Sequence, residues 1–202
     1  MSNEQKITTD YYNENAALWT AKKTDSFFNE AEFRTFISYL NEGDTVLDIG
    51  CAGGVHIPMF LGIGGNLHYE GFDISTGLVK IAKSRYPQLS ITVGDILDRA
   101  TLPNKKYDGF WAVAILMHVH EEDWDMMLGN IEKLCVPGAV GYLTLPNRRP
   151  NLASDEDRRL FTILTVERVH EMLSERGWKI LKEGPVQKDQ TGVWQGYLVR
   201  LP

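Results

Sequence analysis

Four positions in the first 120 residues recur at almost equal intervals, each closing an apolar run: Gly50, Asp73, Asp95 and His118, spaced 23, 22 and 23 residues apart. That interval holds one strand and one helix. A chain that repeats it is constrained to an α/β layer whose strand ends all open on the same side. The runs themselves agree. Residues 45–50, 67–74, 89–95, 107–117 and 139–146 are near-continuous in apolar side chains, the pattern of parallel strands covered on both faces. Two further strands are expected at about 178–183 and 193–200.

Helical stretches fill the intervals at roughly 54–63, 76–86 and 121–135. In the last, Trp124, Met127, Leu128, Ile131, Leu134 and Cys135 share one stripe, and Glu121, Glu122 and Asp123 stand where a helix dipole favours anions. Asn29, with Glu32 three residues on, opens a helix that carries Phe33, Phe36, Ile37 and Leu40 on one face. A final helix starts at Thr165 as N-cap and stops at Gly177. No repeat or low-complexity linker divides the chain, so one domain over 1–202 is expected, with 1–28 as an N-terminal lid and 147–165 as a substrate-side insertion.

Composition excludes several classes. No apolar run approaches the ~20 residues that cross a bilayer, and the polar start MSNEQKITTD lacks a secretory pattern. Cys51 and Cys135 lie inside apolar segments and are expected to be buried thiols of a cytoplasmic protein. A net charge of −6 argues against nucleic-acid partners, because phosphate binding needs a concentrated basic surface. A small-molecule or protein substrate is favoured.

The first strand end is rich in small residues, Gly50-Cys51-Ala52-Gly53-Gly54, which let backbone approach a ligand closely. A dinucleotide fingerprint would need glycine at 50, 52 and 55; the sequence has Gly50, Ala52 and Val55. Asp48 would also repel a pyrophosphate, but suits a ligand with an amino group and a sulfonium cation. Asp73 is an acid able to accept both hydroxyls of a ribose. Asp95 beside Ile96 can take an adenine amino group and cover the ring. A nucleoside with a cationic amino-acid tail fits all three.

The blocks VLDIGCAGG (46–54), GFDIS (71–75), VGDILD (93–98), YDGFWAVAILMHV (107–119) and LCVPGAVGYLTLP (134–146) resemble the successive motifs of class I S-adenosylmethionine-dependent methyltransferases. The resemblance covers roughly residues 30–200. It implies a doubly wound, Rossmann-like sheet of seven strands, mostly parallel with the last antiparallel, helices on both faces, and S-adenosylmethionine as cofactor. By that resemblance the turn from Gly50 through Ala52 to Gly54 holds the methionine end, Asp73 and Ile74 the ribose, and Asp95 and Ile96 the adenine, with Ala114 close to the cofactor. Ala52 departs from the usual glycine, and a slightly altered loop geometry is expected. Where family members fold a helical lid, this chain has Tyr11, Tyr12, Trp19, Phe27 and Phe28; Tyr12 and Trp19 are candidate cofactor contacts.

His118 falls where many relatives carry a histidine facing the methyl acceptor, and is a candidate base. His118 and His120 could join metal ligands, but no further ligands cluster near them, and no metal is expected. Arg148 and Arg149, directly after the fifth strand, are candidates for gripping an anionic acceptor. Methyl transfer from a sulfonium needs alignment more than a dedicated triad. The expected function is methyl transfer to a small-molecule acceptor at O, N, S, C or a chalcogen. The alternatives are a non-catalytic S-adenosylmethionine-binding module and another group transfer from the same cofactor.

Overall fold

The structure is a computed structural model that describes residues 2–22, 30–147, 158–184, 187–188 and 193–202. Five parallel strands are laid down first: β1 (Thr45–Ile49), β2 (His68–Asp73), β3 (Ser90–Val93), β4 (Tyr107–Val113) and β5 (Cys135–Pro146). Then come β6 (Lys179–Glu183), the two-residue β7 (Gln187–Lys188) and β8 (Val193–Arg200). The sheet order is β3-β2-β1-β4-β5-β8-β6, with β7 also paired to β8. β8 runs antiparallel to both β5 and β6. The expected doubly wound, mostly parallel sheet with an antiparallel last strand is present, and β7 adds a short pairing that two residues of sequence could not announce.

Chain order reverses between β1 and β4, which lie side by side although β2 and β3 intervene in sequence. At such a switch point the connections leave in opposite directions and open a crevice beyond the strand tips. The helices are α1 (Asn3–Glu14), α2 (Ala16–Lys22), α3 (Glu30–Ile37), α4 (Ile57–Gly62), α5 (Thr76–Arg85), α6 (Trp124–Leu134) and α7 (Val166–Glu175). Pleating sends successive strand residues to opposite faces, which is why the strands read as continuous apolar runs. Leu47 and Phe110 pack with Trp124, Met127, Leu128 and Ile131 of α6 and with Val169 and Leu173 of α7. Val46 and Trp111 pack on the other face with Phe33 and Phe36 of α3 and with Phe60. Trp111 stacks on Tyr142 of β5 at 4.6 Å between ring centres. Cys51 and Cys135 are buried free thiols, as expected.

Several boundaries move for physical reasons. The apolar run 107–117 is not one strand: β4 stops at Val113, because Ala114 takes φ +55° and its N–H bonds to Thr144 Oγ1 at 2.9 Å. A 3-10 turn, Leu116–His118, follows. β5 starts at Cys135, before Pro137-Gly138, with Cys135 opposite Tyr107 and a register shift beyond. Glu121–Asp123 form a 3-10 turn that leads into α6. α7 is capped by Thr165, which accepts from Arg168 N–H, as expected. Residues 2–22, left without assigned elements in the sequence, form α1 and α2, and α1 opens with a Ser2–Gln5 capping box. Asn29, Phe27 and Phe28 lie outside the described residues.

Candidate functional site

The turn after β1 builds one wall of the crevice. Gly50 and Cys51 both donate to Phe72 O, at 2.8 and 3.0 Å, which folds the chain back over the tip of β2. Gly50 has φ +73°, and a Cβ there would lie 2.4 Å from Ile115, so glycine is required by conformation and by space. Ala52 takes φ +50°. That is the left-handed region at the position where the family pattern has glycine, so the altered residue keeps a glycine-like backbone at some strain. Its N–H bonds to Asp73 Oδ2 at 2.9 Å, and Ser75 N–H bonds to Asp73 Oδ1 at 2.8 Å. Asp73 is thereby fixed at the tip of β2. Burial raises its carboxyl to about 6 against the pull of those two N–H groups.

Asp48 and Gly54 stand behind this wall. Asp48 is 1% exposed and accepts from Tyr69 Oη at 2.9 Å, while its Oδ1 is buried without a hydrogen-bond partner among the described residues. Burial, with Asp73 adding repulsion, raises it to about 7 although Tyr69 opposes the shift. Gly54 turns toward Ile57 and Tyr86. Neither residue borders the cavity.

The other expected residues do meet on one cavity. Gly50, Ala52, Asp73, Ile74, Asp95, Ile96, Ala114, Tyr12, Trp19 and His118 all line it. Asp95 Oδ1 accepts from Leu97 N–H at 2.9 Å, and Asn130 Nδ2 holds Ile96 O at 2.8 Å, so the tip of β3 is braced from α6. Arg148 and Arg149 fall outside the described residues.

Helices α1 and α2 cover the cavity. Asn13 Oδ1 accepts from Ser75 Oγ at 2.8 Å and from Gly77 N–H at 3.0 Å, which seats α1 on the start of α5. Thr20 of α2 lies where a Gly53 Cβ would stand, at 2.3 Å. Gln5, Thr8 and Thr9 line the cavity with Tyr12. The sequence reading passed over these three, yet their spacing at i, i+3, i+4, i+7 is one face of a helix. Tyr12 Oη lies 2.9 Å from His118 Nε2. His118 Nδ1 lies 2.6 Å from Leu160 O. Arg159 is 7% exposed and donates to Tyr12 Oη at 3.0 Å. His120 bonds instead to Ser2 Oγ at 3.0 Å. Among the described residues no group of three His, Cys, Asp or Glu is placed to hold a metal, and no helix is long and apolar enough to cross a membrane.

The donor set fits a nucleoside with a cationic tail. The cavity holds two carboxylates, an otherwise mostly apolar wall and a backbone turn close enough for direct approach, and an orphaned carboxylate oxygen lies behind it. No lysine or arginine is among the described lining residues.

Residues 46–138 match the family model of a methyltransferase domain. No curated protein matches the chain in sequence. Among solved structures, magnesium protoporphyrin IX methyltransferase from Synechocystis PCC 6803, with S-adenosylhomocysteine bound, superposes with a TM-score of 0.73 at 17% identity, covering 99% of this chain and 100% of that one. The 1,6-didemethyltoxoflavin-N1-methyltransferase of Burkholderia thailandensis gives 0.77 at 15% identity, over 97% of this chain and 88% of that one. The cyclase SpnF gives 0.73 at 16% identity, over 98% and 96%. These likenesses show a shared fold.

Proposed function

We infer that this chain, whose residues 46–138 match a methyltransferase-domain family on the fold of class I S-adenosylmethionine-dependent methyltransferases, passes the methyl group of S-adenosylmethionine to a small-molecule acceptor. The observation that carries the reading is Asp73. It is locked by Ala52 and Ser75 N–H groups at the rim of the glycine turn, with Asp95 and Ile96 on the same cavity.

When bound, the cofactor supplies a methyl group already attached to a good leaving group. Asp73 would accept the ribose hydroxyls, and Ile74, Asp95 and Ile96 would hold the nucleoside. The turn from Gly50 through Ala52 to Gly54 would take the tail, with Ala114 beside it. Asp48, behind the turn, would balance the tail's positive charge. Tyr12 and Trp19 close the cavity from α1 and α2, exclude water and align the acceptor; alignment of this kind is worth ~7–11 kcal/mol of barrier. His118 is the candidate base on the acceptor side. A lid formed by the N-terminal residues and a cytoplasmic setting belong to the same reading.

The cyclase on this fold supports a second reading, in which the cofactor site serves other chemistry. Titration calorimetry separates the cofactor question: S-adenosylhomocysteine binds in the micromolar range and NAD does not. Tighter binding of NAD would overturn the assignment. Release of S-adenosylhomocysteine against a panel of hydroxyl, amine and thiol acceptors then decides between a methyltransferase and a non-catalytic binding module.

A further inference from the structure

Arg159 is the cation buried beside the acceptor side of the cavity. Its guanidinium carbon lies 4.5 Å from the ring centre of Tyr11, 5.1 Å from Trp19, 5.2 Å from Phe161 and 5.5 Å from Tyr12, a cage of cation–π contacts. Out of that cage Nη1 donates to Tyr12 Oη. The direction of the rest of the chain follows from valence. Leu160 O can only accept, so His118 Nδ1 carries a proton; the relay needs the ring neutral, and in that form Nε2 accepts the Tyr12 hydroxyl. Both ring nitrogens are therefore engaged, and His118 cannot meet an acceptor except through Tyr12. The phenol oxygen, which receives one N–H and gives one O–H, keeps a lone pair, and Tyr12 lines the cavity.

We propose that Tyr12 takes the proton of the methyl acceptor, that His118 stores it, and that Arg159 is the positioning residue that orients the phenol and offsets its charge in transit. The inference rests on the methyltransferase reading and narrows its substrate. As the acceptor's O–H or N–H bond breaks, its proton bonds to Tyr12 Oη. The phenol's own proton moves to His118 Nε2, and the electron pair left on the acceptor atom is the one that takes the methyl group. The ring ends as an imidazolium with Nδ1–H on Leu160 O and Nε2–H on Tyr12 Oη. Burial raises the phenol to about 12, with Arg159 pulling it down, so at neutral pH Tyr12 starts with a proton to hand on. The class is a hydroxyl or an amine whose nucleophilic atom carries a proton it must lose.

Long-range nitrogen–proton NMR on uniformly 15N-labelled protein, with and without saturating S-adenosylhomocysteine, tests the relay. His118 is expected as the neutral tautomer with its proton on Nδ1. Tyr12→Phe shifts the Nε2 resonance toward that of an unbonded ring nitrogen, Arg159→Met shifts it part of the way, and Arg159→Lys brings it back. A purely structural arginine would change stability without moving that signal. A proton found on Nε2, or an Nε2 signal unmoved in Tyr12→Phe, overturns the relay. If Arg159→Met does not fold, Tyr12→Phe and Arg159→Lys still decide. Titration of S-adenosylhomocysteine on the same samples keeps the two readings apart: failure to bind defeats the methyltransferase assignment, and binding with the wrong tautomer defeats only the relay.

Discussion

Asp48 and Asp73 hold protons more tightly in the fold than in the unfolded chain, where both sit near 3.8; burial moves them to about 7 and about 6. For acids raised in this way, the folded state binds more protons than the unfolded one between pH 4 and 7. Their contribution to stability is fully present below about pH 4 and is lost as pH rises through 6 to 7. Asp48→Asn, which keeps an acceptor for Tyr69, is expected to flatten the fall in urea-unfolding stability between pH 4 and 7 and to weaken cofactor binding. Parallel stability curves for mutant and wild type would show that Asp48 is not the source. Asp73→Ala is expected to weaken S-adenosylhomocysteine by about 2–3 kcal/mol, roughly 30- to 150-fold, in calorimetry. Ala52→Gly relieves a left-handed alanine and should stabilise the fold by about 0.5–1 kcal/mol. At this scale the sequence displayed the strand-tip acids and the small-residue turn, because their chemistry is local. It could not display Arg159. Next to Arg158 and a run of carboxylates, it reads as solvated until aromatic rings from residues 11, 12 and 19 are brought around it.

The elements were legible wherever burial is apolar. α6 packs a continuous stripe against the sheet and could be read residue by residue. α1 could not, since its buried positions are Gln5 and Thr8. Its inner face presents Gln5, Thr8, Thr9 and Tyr12 to the cavity and carries no apolar period to find. The end of β4 was hidden for a related reason: hydrophobicity runs straight through Ala114, and only the φ of that residue breaks the strand. Two expectations attach to the α1–α2 cover. Hydrogen exchange at residues 8–22 slows when S-adenosylhomocysteine binds; equal protection with and without ligand would make these helices plain structure. Gly53→Ala pushes its methyl into Thr20 and is expected to lift α2, reducing cofactor affinity while costing about 1–3 kcal/mol of overpacking. Affinity and unfolding measured on one sample check it.

For the molecule as a whole, the interval of 22–23 residues and the doubly apolar strands were enough to give an alternating α/β layer, because parallel strands joined by helices have few ways to pack; the antiparallel last strand followed from the family resemblance, and the strand order only from the structure. Ligand linkage acts on this scale too. S-adenosylhomocysteine at a hundred times its dissociation constant should add about 2.7 kcal/mol, which for a chain of this size raises Tm by roughly 5–10 °C; NAD at equal concentration should leave Tm where it was. The fastening of α1 has a last consequence, for traffic. The helix is pinned to α5 by Asn13, next to the tip of β2, and to the acceptor side by Tyr12 on His118 and by Leu160 N–H on Thr8 Oγ1. One cover thus serves both compartments, and neither spent cofactor nor methylated product departs while it is seated. The first turnover should then outrun the later ones, with the steady rate set by how often α1 lifts, and a viscous cosolvent should slow the steady rate and spare the initial burst.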